Sequence, residues 1–357
     1  MPASETETSP HVLDVLRFAV PWDAAVAVVG SEVEGIGRRL VVPFAPDGRN
    51  ATELSEAEAI ERLEALRAEG CEYFVVGPSA YAWLDSRPGF KQRLETQYRL
   101  VDRDPQACAA YALHGAEERA GADGLPLPPP DLIRMTSGLY RRASDPDAMR
   151  RRYEATGAEN AAWIRDILTR NGVALDKIGA LLDFGCGCGR VVRHWKDLPG
   201  SVHGCDYNPN LVRWCAEHLP FAEFRANAAE PPLPYEAGSF DVLYAISIFT
   251  HLDEPLQLPW IAELTRVVRP GGLILITVSG ESYVHNMPGW ERLREAFESG
   301  QLVVRKPERT GSNACAAFHP PEYVRDTLTA GLEIVDHEPG VRQAGRQDGL
   351  LLRTPVR

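Results

Sequence analysis

The sequence predicts an α/β protein in two domains: a large C-terminal domain around a seven-stranded sheet and a smaller N-terminal α/β domain. Three observations predict it. Apolar runs of strand length alternate with amphipathic runs of helix length along most of the chain. One strand, residues 180–184, carries Asp183 and passes into a loop with glycine at 185, 187 and 189, followed by a helix beginning near Arg190. A proline-rich stretch, Gly121-Ala-Asp-Gly-Leu-Pro-Leu-Pro-Pro-Pro130, separates two series of such elements and has the composition of a linker.

Residues 1–9 are polar and acidic with no signal-peptide core, and are expected to be a disordered tail. Residues 10–114 form the small domain. Apolar runs at 24–30 and 38–44 read as strands. Residues 55–69 read as an amphipathic helix with Ile60, Leu63 and Leu66 on one face and Gly70 ending it. A strand at 72–77, a helical stretch holding Tyr81, Trp83 and Leu84, and strands at 97–101 and 108–113 complete the set. Residues 115–131 are the expected linker.

The large domain covers 132–357. Ser144 and Asp147 have capping-box spacing with Pro146 in the first turn, so helix is expected from 148 to Asn171, split in two by Gly157. After the glycine loop, residues 201–206 read as a second strand ending in Asp206, then a helix from Asn208-Pro209 to His218. A third strand at 221–226 runs into Asn227-Ala228. Residues 239–247 are continuously apolar after Asp241, as a central parallel strand should be. A helix over 255–268 is stopped by Arg269-Pro-Gly-Gly272. Strands at 273–279, 332–338 and 349–353 close the sheet.

Glycine at 185, 187 and 189 permits a sharp turn and close backbone approach. The helix expected after it directs free N–H groups at the loop, as in nucleotide-binding sites. The dinucleotide fingerprint G-x-G-x-x-G needs a small residue at 190, and Arg190 stands there. The G-x-G-x-G spacing, with Asp183 two residues ahead, resembles motif I of class I S-adenosylmethionine (SAM) dependent methyltransferases. The resemblance covers about residues 132–357 and extends to the strand at 239–247 and the Pro-Gly-Gly turn before 273. It implies a Rossmann-like sheet closed by an antiparallel hairpin, with SAM as cofactor. Asp183 and the three glycines would then hold the methionine portion, and Asn227 and Ala228 would border adenine, where the family often has Asp. Asp206 lies 23 residues beyond Asp183, the interval at which an acid takes ribose hydroxyls. Ser247 is expected on the sulfonium side. Tyr153, on the leading helix, is expected either to cover the cofactor or to sit in the core.

Composition sets bounds. Net charge is −12, which argues against a general nucleic-acid binder. No apolar run reaches about 18 residues, so no membrane span is expected. Seven cysteines are scattered along the chain and read as reduced thiols of a cytoplasmic protein. Cys186 and Cys188 lack a second pair at zinc spacing, and Asp253-Glu254 reads as helix N-terminal charge, so no metal is expected. Arg141, Arg142, Arg150, Arg151 and Arg152 form either a solvated helical face or an anion clamp.

Methyl transfer to a hydroxyl needs a base for the acceptor proton, and histidine suits that task near neutral pH. His251 follows the fourth strand at the end where α/β sheets gather functional groups. It is the expected base, its alternative role being to cap the next helix or pair with Asp253. His319, before the 321 helix, is a second candidate for base or substrate contact. Tyr283 and His285 are expected to wall the acceptor pocket. The stretch 70–85 resembles a module fused to bacterial glycan-modifying enzymes; Tyr81 and Trp83 there form either a sugar-stacking face or core. The expected activity is O-methylation of a sugar or other polar small molecule. N- or C-methylation, or a non-catalytic SAM-binding scaffold acting through the N-terminal domain, are the alternatives, and homo-oligomerisation is left open.

Overall fold

The computed structural model describes residues 10–33, 40–45, 49–114, 119–136, 145–284, 289–341 and 346–356. The tail at 1–9, Arg141, Arg142, Ser144 and His285 lie outside these. The chain divides into two units, Met1–Arg119 with Pro128–Met135, and Ala120–Leu127 with Thr136–Arg357.

In the first unit, β1 (Ala25–Val29), β2 (Leu40–Pro43), β3 (Tyr73–Val76), β4 (Arg99–Asp104) and β5 (Cys108–Ala112) form one sheet of order β2-β1-β3-β5-β4. The first three strands run parallel, β5 is antiparallel to β3, and β4 pairs antiparallel with β5 and so runs with the first three. Both faces are covered. Tyr73 and Val75 of β3 point into a core with Val12 and Leu16 of α1 (Pro10–Ala19). Phe74 and Val76 point to the other side, against α2 (Glu56–Ala68), α3 (Tyr81–Asp85) and α4 (Pro88–Gln97). Two buried faces explain the unbroken apolar run of β3. Ser55 and Glu58 cap α2 reciprocally. Trp83 packs inward with its ring 5.6 Å from Phe90, and the Tyr81 hydroxyl donates to the Asp104 carbonyl at 2.9 Å. These two rings therefore do not form an exposed sugar-stacking face.

The stretch expected as a linker is structured where it is described. Gly121 N–H donates to Leu125 O and Gly124 N–H to Gly121 O, closing a tight turn. Asp123 in that turn pairs with buried Arg193 at 2.6 Å. A helix, α5 (Pro130–Thr136), begins with the last proline, which suits a first-turn position.

The second unit holds a seven-stranded sheet of β6 (Ala180–Phe184), β7 (Ser201–Asp206), β8 (Glu223–Ala226), β9 (Phe240–Ala245), β10 (Val268–Val278), β13 (Glu333–Val341) and β14 (Gln347–Arg353). The order is β13-β14-β10-β9-β6-β7-β8. The five strands from β10 to β8 are parallel, and β14 and β13 form the antiparallel closing pair. Between β10 and β13 lies a two-stranded ladder of β11 (Val303–Arg305) and β12 (Ala316–Phe318). It has its own small core of Val284, Trp290, Phe297, Val303 and Phe318, and no sequence signal announced it.

Three local features differ from the sequence expectation. Gly157 does not split the leading helix: α6 (Pro146–Arg170) runs unbroken, capped by Asp145. A Cβ at 157 would lie 2.2 Å from the Arg190 carbonyl oxygen, so glycine there serves close packing. The glycine loop is followed by a single 3₁₀ turn, Val192–Trp195, and no α-helix. The Pro-Gly-Gly stretch does not precede the next strand. Instead α8 (Glu254–Val267) passes directly into β10, whose pairing with β9 shifts between Val268 and Leu273. On the other side of the sheet, α7 (Pro209–His218) is capped by Asn208.

Candidate active site

Strand order reverses between β6 and β9, so their connections leave in opposite directions and open a crevice at the carboxyl ends. Asp183 of β6 stands in register with Tyr244 of β9. The Tyr244 hydroxyl donates to Asp183 Oδ2 at 2.9 Å. Burial pushes the Asp183 carboxyl up to about 7, against the pull of that hydrogen bond.

The glycine loop turns on left-handed backbone, with φ of 77° at Gly185, 56° at Gly187 and 82° at Gly189. Its Cβ directions are taken by protein. A Cβ at 185 would lie 2.1 Å from Ile248 Cδ1, and one at 187 would lie 2.4 Å from Thr136 Cγ2. The loop is tied to the end of β7: Gly185 and Cys186 N–H both donate to Cys205 O. Asp206 completes the tie, with Oδ2 accepting Gly187 N–H at 2.9 Å and Oδ1 accepting Asn208 N–H at 2.8 Å. Burial raises the Asp206 carboxyl to about 6 despite these two donors. The Tyr153 hydroxyl donates to Cys188 O from beneath, fully buried, so Tyr153 belongs to the core.

At the end of β8, Asn227 N–H donates to Asp206 O and its Nδ2 to Ala228 O. Its Oδ1 is buried and has no partner among the described residues. Ala228 is exposed. At the end of β9, Ser247 holds a φ of 60°. Its N–H donates to Thr277 Oγ1, and its hydroxyl and that of Thr277 both donate to Gln347 Oε1, at 3.0 and 2.7 Å.

His251 ends a 3₁₀ turn, Phe249–His251, just beyond. Its Nδ1 lies 2.7 Å from the Cys315 carbonyl oxygen. A carbonyl only accepts, so Nδ1 carries the proton and the neutral ring keeps its lone pair on Nε2. His319 differs. It is 1% exposed, and burial lowers its proton affinity to about 3. Its Nε2 lies 3.3 Å from Gln257 Oε1. His319 is thus a fixed, neutral donor and not a base, because no solvent reaches it to stabilise the charged ring. Tyr283 is half-exposed, its ring 6.2 Å from Phe318. Of the arginine group, Arg150 contacts Asp147 and Arg151 contacts Asp145, acids of the helix start itself. The seven cysteines are buried free thiols. Among the described residues no group of histidine, cysteine and acidic side chains is placed to hold a metal ion, and no helix is long and apolar enough to cross a membrane.

Sequence reasoning missed Tyr244, Gln257, Thr277 and Gln347. Only Tyr244 left a signal: a tyrosine inside a buried aliphatic strand needs a hydroxyl partner.

This strand order, with a glycine loop after the first strand and a buried acid ending the second, defines a class I SAM-dependent methyltransferase domain. Residues 182–276 match the family described as "Methyltransferase domain". The chain is similar to a malonyl-[acyl-carrier protein] O-methyltransferase of Hahella chejuensis, 29% identical over 147 residues, covering 39% of this chain and 52% of the relative. It is also similar to a probable S-adenosylmethionine-dependent methyltransferase of Mycolicibacterium smegmatis, 34% identical over 165 residues, covering 45% of this chain and 60% of the relative. The chain thus spans about half the length of the curated relatives it matches. Among solved structures, a Burkholderia thailandensis 1,6-didemethyltoxoflavin-N1-methyltransferase aligns with 17% identity and a TM-score of 0.41, over 57% of this chain and 79% of its own.

Proposed function

We propose that this chain transfers a methyl group from SAM to a hydroxyl of a polar small molecule, a sugar or similar metabolite, with His251 as general base. The observation that carries the base assignment is the 2.7 Å contact of His251 Nδ1 with Cys315 O, which leaves the basic lone pair on Nε2. The similarity to an O-methyltransferase supports oxygen as the acceptor atom.

The donor set fits the cofactor. Asp183, buried with a raised proton affinity, suits an ammonium partner that restores its charge. Asp206 keeps acceptor capacity for ribose hydroxyls beyond the two N–H groups it already holds. The orphaned Asn227 Oδ1 suits an amino donor on the adenine edge. Ser247, on strained backbone at the end of β9, lies on the sulfonium side. When bound, SAM supplies a methyl group already activated by its sulfonium. What remains for the chain is alignment and removal of the acceptor proton. His251 Nε2 takes that proton, and the Cys315 carbonyl holds the imidazolium in place. Tyr283 borders the acceptor.

Thermal shift with S-adenosylhomocysteine and with NAD tests the cofactor; stabilisation by NAD alone would end the proposal. An acceptor screen with labelled SAM then compares wild type with His251→Ala. A loss of roughly 10²–10⁴ in kcat is expected. Undiminished turnover removes His251 as base, and SAM binding with no acceptor turned over favours a scaffold.

A further inference from the structure

Gln257 sits on the first turns of α8 and is fully buried. Its amide nitrogen donates to two carbonyl oxygens, Phe249 O and Leu252 O, each at 3.0 Å. These carbonyls flank His251 in sequence and bracket the turn that carries it. With the nitrogen committed to two acceptors, the amide orientation is settled, and Oε1 faces His319 Nε2 at 3.3 Å. His319 is held in turn by its own N–H, which donates to Ser279 O at the end of β10. It follows β12 directly, and the residue before β12, Cys315, supplies the carbonyl that fixes the His251 ring. The turn after β9, the first turns of α8 and the 315–319 segment are therefore joined by two separate ties, Gln257 to His319 and the His251 ring to Cys315 O.

Packing alone does not call for this arrangement. A leucine or methionine would fill the Gln257 position without the cost of desolvating an amide. A buried polar network specifies one local geometry, and this one leaves only His319 Nδ1 of its side-chain atoms without a partner among the described residues. Here it sets the distance between the His251 backbone and the Cys315 carbonyl, which is what decides the imidazole tautomer.

We propose that Gln257 and His319 are positioning residues that lock the 249–252 turn against the 315–319 segment and so hold His251 with its lone pair on Nε2. The proposal deepens the reading of His251 as base and rests on it for its catalytic meaning. The tautomer itself is measurable without any acceptor.

The full chain is labelled with ¹⁵N-histidine, and long-range ring ¹H–¹⁵N spectra are recorded, with His251 assigned from His251→Ala. Wild type is expected to show His251 protonated on Nδ1. Gln257→Leu and His319→Leu are expected to shift His251 to a mixture with protonation on Nε2. His319→Gln, which retains a donor within reach of Gln257, is expected to restore the wild-type pattern. S-adenosylhomocysteine affinity, measured by calorimetry, should stay within about twofold in every variant. An unchanged His251 tautomer in both leucine variants overturns the proposal. So does a tautomer change accompanied by loss of S-adenosylhomocysteine binding, which marks a merely structural role. If Gln257→Leu does not fold, His319→Leu and His319→Gln read the same tie from its other end. Failure of wild type to bind S-adenosylhomocysteine would instead count against the methyltransferase reading and leave the tautomer result standing. Once an acceptor is known, the leucine variants should lower kcat with the KM for SAM unchanged.

Discussion

The Asp206 carboxylate accepts the N–H of Gly187 at 2.9 Å, so the acid at the end of β7 holds the glycine loop that follows β6. One side chain thus ties the end of β7 to the loop. Its second oxygen takes the Asn208 N–H, which joins the loop to the start of α7.

Asp206→Ala should weaken S-adenosylhomocysteine binding by at least about 1 kcal/mol, because it removes a charge-assisted acceptor and orphans two buried N–H groups. Calorimetric titration measures it. Unchanged affinity would assign the ribose contact to another residue.

Asp183 makes the ligand-free protein less stable as pH rises. Burial raises its carboxyl from 3.8 to about 7. Below about 4 both folded and unfolded chains hold the proton, and its contribution is complete. Between about 4 and 7 the unfolded chain releases the proton first, so stability falls through that window and levels off above it. Asp206, raised to about 6, adds to the same slope. Asp183→Asn should remove on the order of 2–4 kcal/mol of this decline between pH 4 and 8. Urea unfolding across that range reads it. A profile that keeps the wild-type slope would show that Asp183 titrates normally.

Gly157→Ala sets two effects against each other. Alanine gains about 1 kcal/mol in a helix interior. The added Cβ would meet a backbone oxygen, that of Arg190, at 2.2 Å. Overpacking of this kind costs about 1–3 kcal/mol, and backbone cannot swing aside as a side chain does. Net destabilisation is expected by chemical denaturation. Stabilisation would mean that α6 moves away from the loop without cost.

Arg193 is 1% exposed and forks onto both oxygens of Asp123, at 2.6 and 2.8 Å. Asp123→Ala should destabilise by about 3–5 kcal/mol, since it leaves a buried guanidinium without its counter-charge. Adding Arg193→Met should recover much of the loss. A single variant within about 0.5 kcal/mol of wild type would show that water replaces the carboxylate.

The glycine loop, Asp183, Asp206 and all seven strands of the large sheet were legible in the sequence because their signals are local. Strand-length apolar runs, acids at strand ends and glycines at alternate positions each declare themselves within a few residues. Gly157 was misread for the complementary reason. Inside a helical pattern a glycine suggests a break, and only the Arg190 carbonyl, 33 residues on, explains it. The 3₁₀ turn after Gly189 was likewise invisible, because helix-forming residues follow it. His319 looked available for chemistry in its Phe-His-Pro-Pro setting, and its burial against Gln257 reversed that.

The class of domain is legible from the residues alone, since a cofactor loop is written in backbone requirements that only glycine and a few acids satisfy. The tertiary structure decided which groups work together. Tyr244 meets Asp183, Gln347 meets Ser247, and Gln257 meets His319, across separations of 61, 100 and 62 residues. A hydrogen bond depends on where two side chains arrive, and packing of the whole sheet sets that.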